Sequence, residues 1–212
     1  MGSMVRIRLV ATPASSPGFG VSGRVICCDS SSGFSKDEAV IGVGTGQVDP
    51  ILTLPRASLV RSPKLLTLYE AAVLPTTVPQ AVCGLAGLEC GQTVLIRGAD
   101  SPVGTVAIQI AKSRGCRVLA TGNARRVPML WDLGADLALA EGTVVSESVH
   151  RVFDAGNLPT VHADRMELKT ATTLAEQAGL VPFVDRICPP DTLTAGLDHV
   201  VWQIGRLDRA RG

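Results

Sequence analysis

Aromatic residues make up only 3% of this 212-residue chain, and histidine occurs only three times. A core short of rings has to be filled by aliphatic side chains, which favours stacked α/β layers over a β-sandwich. Excess charge is also missing: 20 basic residues against 19 acidic ones leave a net charge of about +1. No broad basic field is available for nucleic acid or an anionic membrane, so a small-molecule substrate is the better expectation. The longest uncharged stretch, between Glu70 and Glu89, is broken by Pro75 and Pro79 and makes a poor spanning helix. The six cysteines form no C-x-x-C pair, and adjacent Cys27 and Cys28 cannot close an unstrained disulfide with each other. Free, mostly buried thiols in a reducing cytoplasm are expected. Met1-Gly2-Ser3-Met4 looks like a remnant of cloning, and no charged-then-apolar export signal follows it.

What is present is 46% hydrophobic residues, dominated by Val, Leu, Ile and Ala, in a chain long enough for one large or two small packed domains. Residues 5 to 10 alternate apolar and charged side chains at the period of a half-exposed strand. A second strand is expected over 18–29, a polar loop over 30–34, and short strands over 39–60 with turns at Gly44-Thr45-Gly46 and Asp49-Pro50. From Thr67 the pattern turns helical, with Leu68, Ala71, Ala72 and Leu74 on one face until Pro75 interrupts it. A second helix is expected from about Pro79 to Ala86.

The most informative unit starts at Thr93. A buried strand over 93–97 is followed by the turn Gly98-Ala99-Asp100-Ser101 and a helix opening at Pro102. Val103, Val106, Ala107 and Ile110 fall at the i, i+3, i+4, i+7 spacing of a core-facing stripe. A strand over 117–121, a helix over 124–133 closed by Gly134, and a strand over 136–140 complete β-α-β-α-β, the pattern of a parallel sheet with right-handed crossovers. Residues 142–166 read as a connector. Helix is expected over 168–179, strand over 180–187 and helix over 194–206.

Leu74-Pro75, Gly91-Gln92-Thr93-Val94-Leu95-Ile96-Arg97-Gly98-Ala99, Val103-Gly104, Ala107-Ile108-Gln109-Ile110-Ala111-Lys112 and Leu133-Gly134-Ala135-Asp136 closely resemble, in order and spacing, the nucleotide-binding region of the medium-chain dehydrogenase/reductase superfamily. The likeness is to its zinc-free quinone and enoyl reductase branch. Pro17 to Gly23 and Leu180 to Arg186 extend it toward both ends. The resemblance implies a truncated Rossmann-like parallel sheet over 81–167, packed with a reduced, β-rich, GroES-like substrate-side domain over 1–80 and 168–212. It also implies shortening: between Val10 and Pro17, between Ala140 and Leu168, and after Gly212.

In such a fold the turn after the first strand brings backbone N–H groups to a pyrophosphate at a helix N-terminus. Here that turn reads Ala99-Asp100-Ser101-Pro102-Val103-Gly104, with Ser101 and Pro102 where glycines are usual, so a dinucleotide site and a turn that only packs both stay open. At the end of the second strand an NAD enzyme places an acid on the ribose, but this chain has Gly122-Asn123 followed by Arg125 and Arg126. Arg126 falls where the resemblance puts the 2′-phosphate cation, which implies NADPH; an ordinary solvated arginine pair is the alternative. Gly18-Phe19-Gly20 lacks the His and Glu of the zinc-binding branch, and no cysteine cluster suits a structural site, so no metal is expected.

The polar residues that family members keep near the nicotinamide correspond to Gln80 and Val82. Thr76 and Thr77 lie close by as substitutes or as helix caps, and Tyr69, the only tyrosine, is a proton donor or a packing residue. His150, His162 and His199 have no nucleophile at triad spacing. The first functional expectation is an NADPH-dependent reductase of an enone, quinone or α,β-unsaturated thioester, of the kind used in polyketide or other secondary metabolism, acting as a homodimer. The rivals are a cofactor-independent cyclase or isomerase and a non-catalytic scaffold.

Overall fold

A computed structural model describes residues 3–13, 19–45, 48–156, 158, 163–184, 186–188 and 199–202. Contacts divide the chain into a unit over residues 1–79 and 160–203 and a second unit that holds residues 80–159.

In the first unit, β1 (Met4–Pro13), β2 (Phe19–Cys28), β3 (Ala39–Gly44), β4 (Ile51–Pro55) and β5 (Leu59–Arg61) form an antiparallel sheet. Val5, Ile7 and Leu9 point inward while Met4, Arg6 and Arg8 point out, as period-two alternation requires. With Val21, Val25, Val40, Leu54 and Leu59 they make the core of this sheet. The expected polar loop after β2 holds a 3-10 turn, Ser30–Ser32. Helix α1 (Leu68–Ala71) is closed at its start by a reciprocal capping box between Thr67 and Glu70.

Helix α2 (Leu74–Gly84) begins five residues earlier than the sequence suggests, and Pro79 lies inside it. Pro75 does not interrupt it, because proline is tolerated in a first turn whose N–H groups have no intrahelical acceptor. Helix α5 (Arg165–Gln177) also starts early, because Asp164 and Glu167 form a second capping box. Among the described residues, 180–184 are irregular, and strand structure starts only at β10 (Arg186–Cys188). The helix expected over 194–206 is overturned where it is described: His199–Trp202 is a strand, β11, pairing in parallel with Ala11–Pro13 and antiparallel with β10. Its β-branched Val200 and Val201 suit a strand better than a helix; the remainder of that range lies outside the described residues.

The second unit is a four-stranded parallel sheet in the order β8-β7-β6-β9, formed by β6 (Thr93–Arg97), β7 (Arg117–Gly122), β8 (Leu137–Ala140) and β9 (Arg151–Asp154). Helix α3 (Pro102–Ser113) joins β6 to β7, and buries Val103, Val106, Ala107 and Ile110 together with Thr105, Ile108 and Ala111. Each large aliphatic side chain so buried contributes about 2 kcal/mol. The next connection is a 3-10 turn, Ala124–Arg126, continued by α4 (Val127–Asp132) and closed by Gly134 at φ 100°.

β9 corrects the reading of 142–166 as a plain connector. The strand is short and, apart from Phe153, exposed or half-buried, so it carries little hydrophobic signal of its own. It is held by register with β6, by Phe153 against Gly84, and by His150, whose Nδ1 accepts from the Thr93 N–H at 3.0 Å while its own N–H donates to the Thr93 carbonyl at 2.8 Å.

The cysteines also depart from expectation. Cys27, Cys83 and Cys90 are exposed and Cys28 is half-buried, leaving Cys116 as the buried thiol among those described. Alternation along β2 turns Cys27 outward. Among the described residues no helix is long and apolar enough to cross a membrane, and no cluster of His, Cys, Asp and Glu could hold a metal ion.

Candidate functional site

The turn from β6 into α3 stands at the carboxyl end of the parallel sheet, where open α/β sheets bind ligands. Gly104 is fixed by packing: a Cβ there would lie 2.6 Å from both the Ala99 Cα and the Gly98 carbonyl oxygen. Ser101 caps α3. Its Oγ accepts from the Gly104 N–H at 3.1 Å and donates to the Ala155 carbonyl at 2.9 Å, tying the helix start to the end of β9.

Few donors of this turn remain for an anion. The Ala99 N–H donates to the Thr121 carbonyl and the Ser101 N–H to the Gly98 carbonyl, while Pro102 has no N–H. With the Gly104 N–H held by Ser101, the N–H groups of Asp100 and Val103 are the ones in this turn left open among the described residues. The turn therefore fits a dinucleotide pyrophosphate with a reduced donor set, supplemented by the N-terminal field of a twelve-residue helix.

Gly122 ends β7, and its carbonyl accepts from the Glu141 N–H at 2.7 Å. Asn123 caps the following 3-10 turn through its Oδ1, which accepts from the Arg125 N–H at 2.9 Å. Arg125 is exposed and Arg126 half-buried. A cavity of about 770 Å³ opens on the same edge of the sheet, lined by Arg97, Gly98, Thr121, Glu141, Asp154 and Gly156 among others. Of the residues expected to hold a cofactor, none lines this cavity; those of the glycine turn and the end of β7 lie outside it.

Sequence reasoning missed Arg97, Thr121 and Asp154. They sit at the carboxyl ends of three adjacent strands, and Arg97 and Asp154 are direct partners in register. That signal depended on recognising β9. At the opposite end of the sheet, Asp136 accepts from the Val118 N–H at 2.7 Å and from Lys112 Nζ at 2.9 Å with both oxygens. Burial alone would raise its pKa, but these bonds and the nearby charges of Lys112 and Arg117 together hold it below the usual carboxylate value.

Thr76 and Thr77 are interior residues of α2 rather than caps. Both hydroxyls donate to the Val73 carbonyl, at 3.2 and 2.8 Å, and Thr77 is buried. Gln80 follows on the same helix, half-exposed. Tyr69 packs against the small cluster of Ala11, Ala72 and Val73, beside Val184.

No family model matches the chain. It is 32% identical over 117 residues to the spectinabilin polyketide synthase system protein NorB of Streptomyces orinoci, covering 54% of this chain and 5% of that protein. It is 40% identical over 81 residues to 2-methylene-furan-3-one reductase of Solanum lycopersicum, covering 36% of this chain and 21% of that one. Among solved structures it resembles the quinone oxidoreductase of Coxiella burnetii with a TM-score of 0.72 and 18% identity, over 95% of this chain and 90% of the other. The proteins it is similar to are quinone oxidoreductases, enoyl reductases and alcohol dehydrogenases of the medium-chain dehydrogenase/reductase superfamily. The chain's antiparallel and parallel sheets are the GroES-like and Rossmann-like layers of that fold. The aligned part covers between 3% and 21% of the length of the first curated relatives it matches.

Proposed function

We propose that this chain belongs to a nicotinamide-dependent reductase of an activated C=C bond, an enone, quinone or α,β-unsaturated thioester. The observation that carries the reading is the β6–α3 turn: Gly104 is packed against it, and the N–H groups of Asp100 and Val103 are open above a parallel sheet. Relatives named as a furanone reductase, a prostaglandin reductase and polyketide synthases support C=C reduction and a place in polyketide or other secondary metabolism. Bound nicotinamide would supply the hydride for the β-carbon, while the protein contributes orientation and polar groups near the developing enolate.

Residues 99–101, 103 and 104 would meet the pyrophosphate, with Gly122 and Asn123 beside the adenosine. Arg125 and Arg126 support NADPH, since two cations after β7 suit a 2′-phosphate. Residues 1–80 and 168–212 would serve the substrate. Of the polar candidates near the nicotinamide, Gln80 is the strongest, because its amide carries two donors. The Thr76 and Thr77 hydroxyls would have to leave the Val73 carbonyl before donating elsewhere, while Tyr69 packs against Ala11, Ala72 and Val73. The open edges at β8 and β9 support a homodimer.

The deciding experiment is calorimetric titration with NADPH and NADH, followed by a screen of enones and quinones. Micromolar binding and substrate-dependent cofactor oxidation are the expected results. No binding at millimolar dinucleotide would overturn the reading. It would favour the cofactor-independent alternative, to which the bond between Ser101 and the Gly104 N–H already lends some support.

A further inference from the structure

NADPH is expected from the sequence because β7 ends without an acidic residue and Arg126 follows it. In space, that place is filled. A Cβ on Gly122 would lie 2.5 Å from Asp100 Oδ1, 3.0 Å from its Cγ and 3.2 Å from its Cβ. The Asp100 carboxylate therefore occupies the volume that a side chain at position 122 would take. We propose that Asp100, reaching across from the glycine turn, is the specificity-determining residue of the dinucleotide site and recognises the adenosine ribose as an unphosphorylated diol. The inference rests on the dinucleotide reading above and revises its choice of cofactor.

Asp100 is half-buried, and among the described residues it accepts no hydrogen bond and forms no ion pair. Partly desolvated acceptors gain when a donor arrives, and two vicinal hydroxyls are such donors. In dinucleotide folds an acid at the end of the second strand takes these hydroxyls; here the acid comes from the preceding turn. A 2′-phosphate would instead face a like charge across a partly water-excluded gap. Arg125 and Arg126 follow in the 3-10 turn and pull the other way, so the preference is set by the balance between Asp100 and these two cations. The backbone supports this placement: the Ala99 N–H donates to the Thr121 carbonyl at 2.9 Å and holds the turn against the end of β7.

The test is calorimetry on the whole chain with NADH and NADPH, using the wild type, Asp100→Asn, Gly122→Ala and Arg126→Ala. Wild-type protein should bind NADH at least as tightly as NADPH. Asp100→Asn should move the affinity ratio toward NADPH by about tenfold or more. Gly122→Ala should move it the same way by pushing the carboxylate off its seat. Arg126→Ala should weaken NADPH alone, and thermal melts check that each variant is folded. A strong wild-type preference for NADPH, or a ratio unchanged in both Asp100→Asn and Gly122→Ala while both dinucleotides still bind, would overturn the assignment to Asp100 and leave the reductase reading standing. If neither dinucleotide binds the wild type, the reductase reading falls and takes this inference with it.

Discussion

The two crossovers that begin and end the parallel sheet solve the same problem with different means. Between β6 and β7 the chain spends a twelve-residue helix whose inner face is buried throughout. Between β8 and β9 it passes β7 and β6 with residues 141–150 and no helix at all. Parallel neighbours usually need a crossover of about a dozen residues or more, most often helical. The shorter route leaves Val144 86% and Val152 49% exposed, and opens the cavity beside Thr121 and Asp154. The first crossover of the parallel-sheet unit is thus packed as a core, while the last is a loop that lines a cavity together with Arg97, Thr121 and Asp154.

The difference can be broken most severely from the packed side. Ile110→Ala, at a fully buried position of α3, is expected to cost about 3 kcal/mol by lost transfer energy and a residual cavity. Urea titration would read this as a lower midpoint, and a loss below about 1 kcal/mol would show that α3 is not the core element described.

Next in size is Asp136, which ties Lys112 of α3 to the Val118 N–H of β7. Asp136→Ala should cost about 2 kcal/mol, much of it from the unpaired amide. Because this carboxyl is held below its ordinary value in the folded chain, its contribution is present above the unfolded carboxylate range and is lost as pH falls through the folded value. Thermal melts across the acid range should therefore show a slope in the wild type that is reduced in Asp136→Asn; identical slopes would exclude this origin.

A smaller effect belongs to Ser101, the link between the packed turn and β9. Ser101→Gly should lower stability by a few tenths of a kcal/mol and free the Gly104 N–H, tightening dinucleotide binding by about threefold to tenfold. Weaker binding would mean that the serine helps to form the site. The smallest change is expected on the open side: Val144→Ala should shift stability by less than about 0.5 kcal/mol. Hydrogen exchange should find β9 amides less protected than those of β6, and equal protection would contradict the comparison.

How much of this was legible follows the same division. The stripe Val103, Val106, Ala107 and Ile110 announced α3 because a helix with one buried face imprints its period on the sequence. β1 was legible through the alternation of Val5, Ile7 and Leu9 with charged neighbours. β9 was not, because it buries Phe153 alone and owes its place to pairing with β6. In the sequence Thr76 and Thr77 read as polar substitutes near the nicotinamide or as helix caps, the second because Pro75 reads as a helix interruption. In the structure Pro75 stands in the first turn of α2, and both hydroxyls bond back to Val73. Arg97 and Asp154 could not be joined as neighbours until the order of strands was known.

By itself, then, the sequence determined the elements whose side chains repeat at the period of their own backbone: the strands of the antiparallel sheet, and β6, α3 and β7 with the turn between them. It also carried the family resemblance, since glycine and small residues at fixed spacing are a local requirement of that turn. Only the tertiary structure decided which strands are neighbours, which residues met at the carboxyl edge, and that Asp100 sits where Gly122 leaves room. The reason is physical: periodicity reports burial along one element, whereas a binding site is made where separate elements end, and the charge at the end of β7 is supplied from a different part of the chain.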